Sequence, residues 1–166
     1  MTTGPLVVLI GPMGSGKTRV GKRVAKQLGR DFIDTDKVIV AEHGPITAIF
    51  DEKGEPYFRE LEREAVAAAL QTDGVVSLGG GAVLDPQTRE LLAACRVAYL
   101  TVTAEAVASR LTGGSRPLAR GGVTDWARIY EQRRPIYESL AGRTFDTSRR
   151  PYTRIAEEVA QWVQQT

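Results

Sequence analysis

Eight residues near the start of the chain, Gly11-Pro12-Met13-Gly14-Ser15-Gly16-Lys17-Thr18, satisfy the spacing G-x-x-x-x-G-K-[ST] in full. Glycines at these positions let the backbone curl until successive N–H groups point inward, which makes a cradle for phosphate oxygens. A helix starting directly after the loop adds the positive end of its dipole. Lys17 can reach the β- and γ-phosphates, and the Thr18 hydroxyl can ligate Mg²⁺. Gly11, Gly14, Ser15, Gly16, Lys17, Thr18 and the following Arg19 are therefore the expected nucleotide contacts. The chemistry this predicts is binding of ATP·Mg²⁺ and transfer of its terminal phosphoryl group to a small polar acceptor.

Two carboxylates follow in Asp34-Thr35-Asp36, at the end of a second apolar run. Many enzymes with this loop carry a metal-linked aspartate at the end of the third strand. Here Val75-Val76-Ser77-Leu78 runs straight into Gly79-Gly80-Gly81 instead, so Asp34 is the best available acid for the metal shell, acting through water. One of the two carboxylates could face Mg²⁺ and the other the acceptor. The alternative is a solvated turn in which Asp36 caps a helix starting at Lys37. Three glycines in a row cost backbone entropy and add no packing. Close approach of backbone N–H groups to a ligand explains all three, whereas a tight turn needing positive φ explains one or two.

Of the 22 basic residues 17 are arginine, a side chain whose planar fork suits carboxylates and phosphates. Arg59 follows Phe58 near a helix start, Arg116 lies beside Pro117 in a glycine-rich stretch, and Arg133 precedes Arg134-Pro135-Ile136-Tyr137. Together they predict an acceptor with a negative charge, since bidentate pairing to a carboxylate is the strong form of that interaction.

The elements that must position these residues alternate. Leu6–Ile10, Phe32–Ile33, Val75–Leu78, Val97–Val102 and Arg143–Asp146 read as strands. Helices are expected over Thr18–Leu28, with Gly29 at its end, and near Lys37–Glu42, Ile46–Glu52, Pro56–Gln71, Pro86–Ala94, Glu105–Leu111, Trp126–Leu140 and Thr153–Gln164. Pro135 should kink its helix. Thr112–Val123, rich in glycine and arginine, reads as a mobile loop. Strands alternating with helices make an α/β protein with a parallel sheet covered on both faces. In such sheets ligands bind beyond the carboxyl ends of the strands, and the unusual residues fall there.

With 166 residues the chain suits one domain, 1–166. Its net charge of +2 calls for neither nucleic acid nor an anionic membrane, and no apolar run approaches the roughly 20 residues of a membrane span. The N-terminal residues lack a signal-peptide pattern, so a cytoplasmic location is expected. The single cysteine, Cys95, excludes an internal disulfide and reads as a small core residue. The single histidine, His43, excludes a multi-histidine metal site.

Taken together, Asp34-Thr35-Asp36, Gly54-Glu55 with Phe58-Arg59 and Glu62, Gly79-Gly80-Gly81-Ala82-Val83, Arg116-Pro117-Leu118, Arg133-x-Pro135-x-Tyr137 and Asp146-Thr147 resemble the shikimate kinase family in order and spacing. The resemblance covers nearly the whole chain. It implies a three-layer α/β/α fold with a five-stranded parallel sheet, of the P-loop, nucleoside-monophosphate-kinase-like kind, with a substrate-binding segment at about 34–62 and a closing lid at about 112–123. It further implies transfer of the ATP γ-phosphoryl group to the 3-hydroxyl of shikimate. By the same resemblance, Lys17 and Arg116 act at the phosphates and Asp34 orders the metal's water. Asp36 binds the acceptor hydroxyl and is the candidate base, while Arg59 and Arg133 grip the carboxylate. The backbone at Gly80, with Gly79 and Gly81, contacts substrate, and Arg110 and Arg150 flank the adenine. A monomer is the expected assembly, with ATP and shikimate as its partners. The family usually has one more residue between Gly44 and Ile46, and a longer lid, so both segments depart from its pattern.

Overall fold

The structure is a computed structural model that describes residues 4–111 and 122–165. Its five strands are β1 (Val7–Ile10), β2 (Phe32–Asp34), β3 (Val75–Ser77), β4 (Val97–Thr101) and β5 (Arg143–Asp146). They form one parallel sheet in the order β2-β3-β1-β4-β5, with Val8 opposite Val76 on one side and Val97 on the other. Central β1 has a helical layer on each face, so Val7, Val8, Leu9 and Ile10 are all buried. That double burial is why the strand reads as an unbroken apolar run rather than an alternating one. At the edge, β5 buries only Phe145.

On one face α1 (Lys17–Leu28) and α8 (Tyr152–Gln164) pack Val20, Val24, Ile155 and Val159 over Leu9 and Leu100. On the other lie α4 (Glu55–Ala69), α5 (Pro86–Leu92), α6 (Ala104–Leu111) and α7 (Gly122–Leu140). Their Val66, Leu92, Val107, Trp126 and Tyr137 cover Val8, Ile10, Val76 and Tyr99. Between β2 and α4, α2 (Thr35–His43) and α3 (Ile46–Lys53) join the start of α4 around a small core of Ile39, Ile49, Phe58 and Leu61. The expected substrate segment thus has its own packing centre.

The element boundaries differ from the sequence reading where capping decides them. α2 begins at Thr35, two residues before the expected Lys37, because the Asp34 carboxylate accepts the backbone N–H of Asp36 at 3.0 Å and of Lys37 at 3.3 Å. Asp34 is therefore the cap, and Asp36, the alternative cap in the sequence, sits in the helix's first turn. Gly29 closes α1 in the left-handed conformation, φ 65°, as its position suggests. Pro135, expected to kink its helix, lies inside an element that runs unbroken from Gly122 to Leu140. Among the described residues no helix is long and apolar enough to cross a membrane.

Candidate active site

The loop between β1 and α1 has the curl its glycines allow. Gly11, Gly14 and Gly16 take φ of 148°, 83° and 93°, backbone that side chains with a β-carbon rarely adopt. Space is as tight as conformation: a methyl group on Gly11 would stand 2.4 Å from the Leu100 carbonyl, and one on Gly16 2.3 Å from the Tyr152 ring. Lys17 Nζ folds back over the loop and donates to the carbonyls of Gly11 at 2.7 Å and Pro12 at 3.1 Å. Ser15 Oγ is buried within the loop and has no partner among the described residues. From the first turn of α1, Thr18 Oγ1 donates to Asp34 Oδ2 at 3.0 Å. The parallel pairing of β2, β3 and β1 brings Asp34 to the mouth of the loop. Among the described residues no three His, Cys, Asp or Glu side chains gather as a protein-built metal site. The oxygens of Thr18 and Asp34 are hard donors of the type Mg²⁺ takes beside phosphate.

Next to this loop lies the glycine run after β3. None of Gly79, Gly80 and Gly81 has a positive φ, so the tight-turn explanation fails. What they provide is room for side chains. A β-carbon on Gly79 would stand 2.5 Å from Asp36 Oδ1, and one on Gly81 2.6 Å from both terminal nitrogens of Arg59. At Gly80 it would stand 3.4 Å from Arg133 Nη1, and 3.7 Å from both the Gly11 carbonyl and Tyr137 Oη. The run therefore gathers Asp36 from α2, Arg59 from α4 and Arg133 from α7 around one short stretch of backbone that abuts the phosphate loop.

Two further residues hold this arrangement. Glu62, one turn beyond Arg59, pairs with it at 2.7 Å and is buried. Burial pushes the Glu62 carboxyl above its ordinary range, the cations Arg59 and Arg133 pull it back, and nearby Asp36 adds to the rise. Tyr137, one turn beyond Arg133, is fully buried and donates to the Gly80 carbonyl at 2.6 Å. Burial pushes its phenol up to about 12, against the neighbouring Arg133. Glu62 and Tyr137 stand in the motifs of the family resemblance, at helical spacing from Arg59 and Arg133, but no role for either is legible in the sequence.

The arginines expected around the adenine diverge. Arg110 Nη1 donates to the Gly14 carbonyl at 2.9 Å, and Arg110 also bonds Thr147, so it does reach the loop. Its guanidinium stacks 5.0 Å from the Tyr152 ring, which Arg19 also overlies at 5.6 Å. Arg150 is exposed and pairs with Glu158 of α8 at 2.7 Å, an engagement that holds it on the helix surface. Arg116 and most of the expected lid lie outside the described residues; Gly122 and Val123 belong to α7. Cys95 is half-buried beside the core, with its Sγ donating to the Leu91 carbonyl.

Sequence and structure both match known proteins. The family model described as shikimate kinase matches residues 13–164. A shikimate kinase of Streptomyces coelicolor is 45% identical over 164 residues, which is 96% of this chain and 93% of that one. Another, of Salinispora arenicola, is 46% identical over 160 residues, 94% of this chain and 96% of its own. Among solved structures, the shikimate kinase from Acinetobacter baumannii in complex with shikimate aligns with a TM-score of 0.90 at 30% identity, over 99% of this chain and 94% of that one.

Proposed function

The chain belongs to the shikimate kinase family, and from that membership we propose how its residues carry the γ-phosphoryl group of ATP to the 3-hydroxyl of shikimate, giving shikimate 3-phosphate and ADP. The loop N–H groups and Lys17 hold the β- and γ-phosphates, and Arg116 joins them there. Thr18 and Asp34 would hold Mg²⁺, Asp34 through water. When bound, the ion neutralises charge on the phosphate oxygens. Asp36 orients the acceptor hydroxyl and takes its proton as the new O–P bond forms and the bond to ADP breaks. Arg59 and Arg133 clamp the carboxylate, and the Gly80 backbone spans the gap between clamp and phosphates. Little covalent work falls to the protein in such a reaction, because positioning and charge neutralisation carry most of it. In this reading the enzyme works as a cytoplasmic monomer.

One observation carries the assignment of roles. The space beside Gly80 is bordered both by the Gly11 carbonyl of the phosphate loop and by Arg133, with Asp36 and Arg59 against the flanking glycines. A carboxylate-bearing alcohol held by the two arginines then has its hydroxyl near Asp36 and the phosphates.

The test is a coupled ADP-release assay with Mg·ATP, comparing shikimate with gluconate, quinate and no acceptor, and with Arg133→Ala in parallel. Rapid turnover with shikimate alone, lost in the variant mainly in kcat/KM, supports both acceptor and clamp. ADP release no faster with shikimate than with water would overturn the acceptor and leave the loop as an ATP site.

A further inference from the structure

A phosphate cradle works only when its peptide planes turn their N–H groups toward the ligand, which sends the carbonyls outward. Here three consecutive carbonyls of the loop are each held by a side chain from a different part of the fold. Trp126 Nε1 of α7 donates to Met13 O at 2.8 Å, Arg110 Nη1 of α6 to Gly14 O at 2.9 Å, and Thr147 Oγ1, just past β5, to Ser15 O at 2.8 Å. The Met13 bond is the tie at the loop's apex, where the Met13 side chain is 44% exposed and gives little packing of its own. Trp126, by contrast, is firmly seated. It is buried, meets the Tyr130 ring edge-on at 5.3 Å, and Tyr130 Oη is hydrogen-bonded to Tyr99 Oη of β4 at 2.6 Å. An indole has one donor and no acceptor, so the bond to Met13 is the whole of its polar role.

We propose that Trp126 is a positioning residue of the nucleotide site. Peptide bonds here are trans, so holding the Met13 carbonyl outward aims the Gly14 N–H of the same peptide plane the opposite way, into the cradle. The loop is then set for phosphate before nucleotide arrives, and binding spends less on ordering it. The inference rests on the reading of this loop as the ATP site, and it adds a residue that the loop motif does not contain.

Trp126→Phe keeps an aromatic ring and removes the donor. Loss of one such bond should weaken ADP binding roughly five- to tenfold and raise KM for ATP in step, while KM for shikimate stays within about twofold of the wild type. A neighbouring control, Tyr130→Phe, alters the same aromatic cluster without touching a loop carbonyl; it should lower the melting temperature and leave ADP affinity unchanged. Wild-type ADP affinity in Trp126→Phe, or equal weakening toward ADP and shikimate, would overturn the proposal. Should Trp126→Phe fail to fold, Trp162→Phe leaves Trp126 as the sole tryptophan. Titration with ADP must then shift its emission, and an unchanged spectrum at saturation overturns the role. A wild-type protein that binds no ADP at all would instead defeat the ATP-site reading, and this inference with it.

Discussion

The guanidinium of Arg59 occupies the space that a β-carbon on Gly81 would fill, with both terminal nitrogens 2.6 Å from where that carbon would stand. Gly79 stands in the same relation to Asp36 Oδ1, at 2.5 Å. Real β-carbons do not approach polar atoms so closely, so a side chain at either glycine must push its charged neighbour aside. The displaced atoms are ends of flexible side chains, whose shift costs the fold little and the site much.

Gly79→Ala and Gly81→Ala should therefore separate two functions. Gly81→Ala moves Arg59 and should raise KM for shikimate about tenfold, ~1.4 kcal/mol, with a smaller effect on kcat. Gly79→Ala moves Asp36 and should lower kcat by a factor of roughly 10². Steady-state kinetics with thermal melts check both, and a melting loss that tracks the activity loss would mean that the backbone, not the side chain, has moved.

Asp34 is shared between a helix cap and Thr18, with one oxygen to each. Asp34→Ala should lower stability by about 1 kcal/mol through the cap and raise the Mg²⁺ concentration needed for half-maximal rate. Asp34→Asn retains an acceptor oxygen, so it should recover most of the stability and little of the metal response. If neither variant changes the Mg²⁺ dependence, Asp34 acts as a cap alone.

Glu62 gives a pH signature. Its folded-state carboxyl titrates above the ordinary 4.5 because it is buried, so the folded protein holds that proton longer than the unfolded chain. The stability this contributes is fully present below pH 4.5 and is lost as pH rises through the elevated value, with a slope of at most about 1.4 kcal/mol per pH unit. Urea denaturation of the wild type and Glu62→Gln across the acid range should show the wild type losing ground to the variant as pH rises in that window, then a constant difference above it. A difference flat from pH 4.5 upward would place the Glu62 carboxyl at its ordinary value.

Tyr99, Tyr130 and Tyr137 form a buried aromatic cluster whose phenols all titrate above the ordinary 10.0, with burial the main cause. Their contribution to stability is present below pH 10.0 and lost as pH climbs through the raised values. Near-ultraviolet titration should show these three phenols ionising above the ordinary 10.0. Tyr137→Phe should cost roughly 1 kcal/mol by freeing the Gly80 carbonyl and should lower kcat/KM for shikimate. An unaltered kcat/KM would show that Gly80 holds its place without the phenol.

What the sequence determined by itself is whatever depends on neighbours along the chain. The phosphate loop was legible because its geometry follows from the φ freedom of Gly11, Gly14 and Gly16 and from the helix that Lys17 and Thr18 begin. The strands were legible because a parallel sheet buried on both faces needs apolar runs such as Val7–Ile10, and Gly29 marked its helix end for the same local reason. Asp36, Arg59 and Arg133 stood out by residue type and by family resemblance, with nothing in the sequence to show that they meet. Tertiary structure decided that meeting. Gly79, Gly80 and Gly81 matter for the β-carbons they lack, and this shows only when residues remote in sequence pack against them. The same limit hid the choice of Asp34 over Asp36 as cap, the Glu62–Arg59 pair, the Trp126 bond to Met13, and the engagement of Arg150 with Glu158. Each depends on which side chain wins a position among several competing partners, and that competition is settled by packing across the sheet rather than by spacing along the chain.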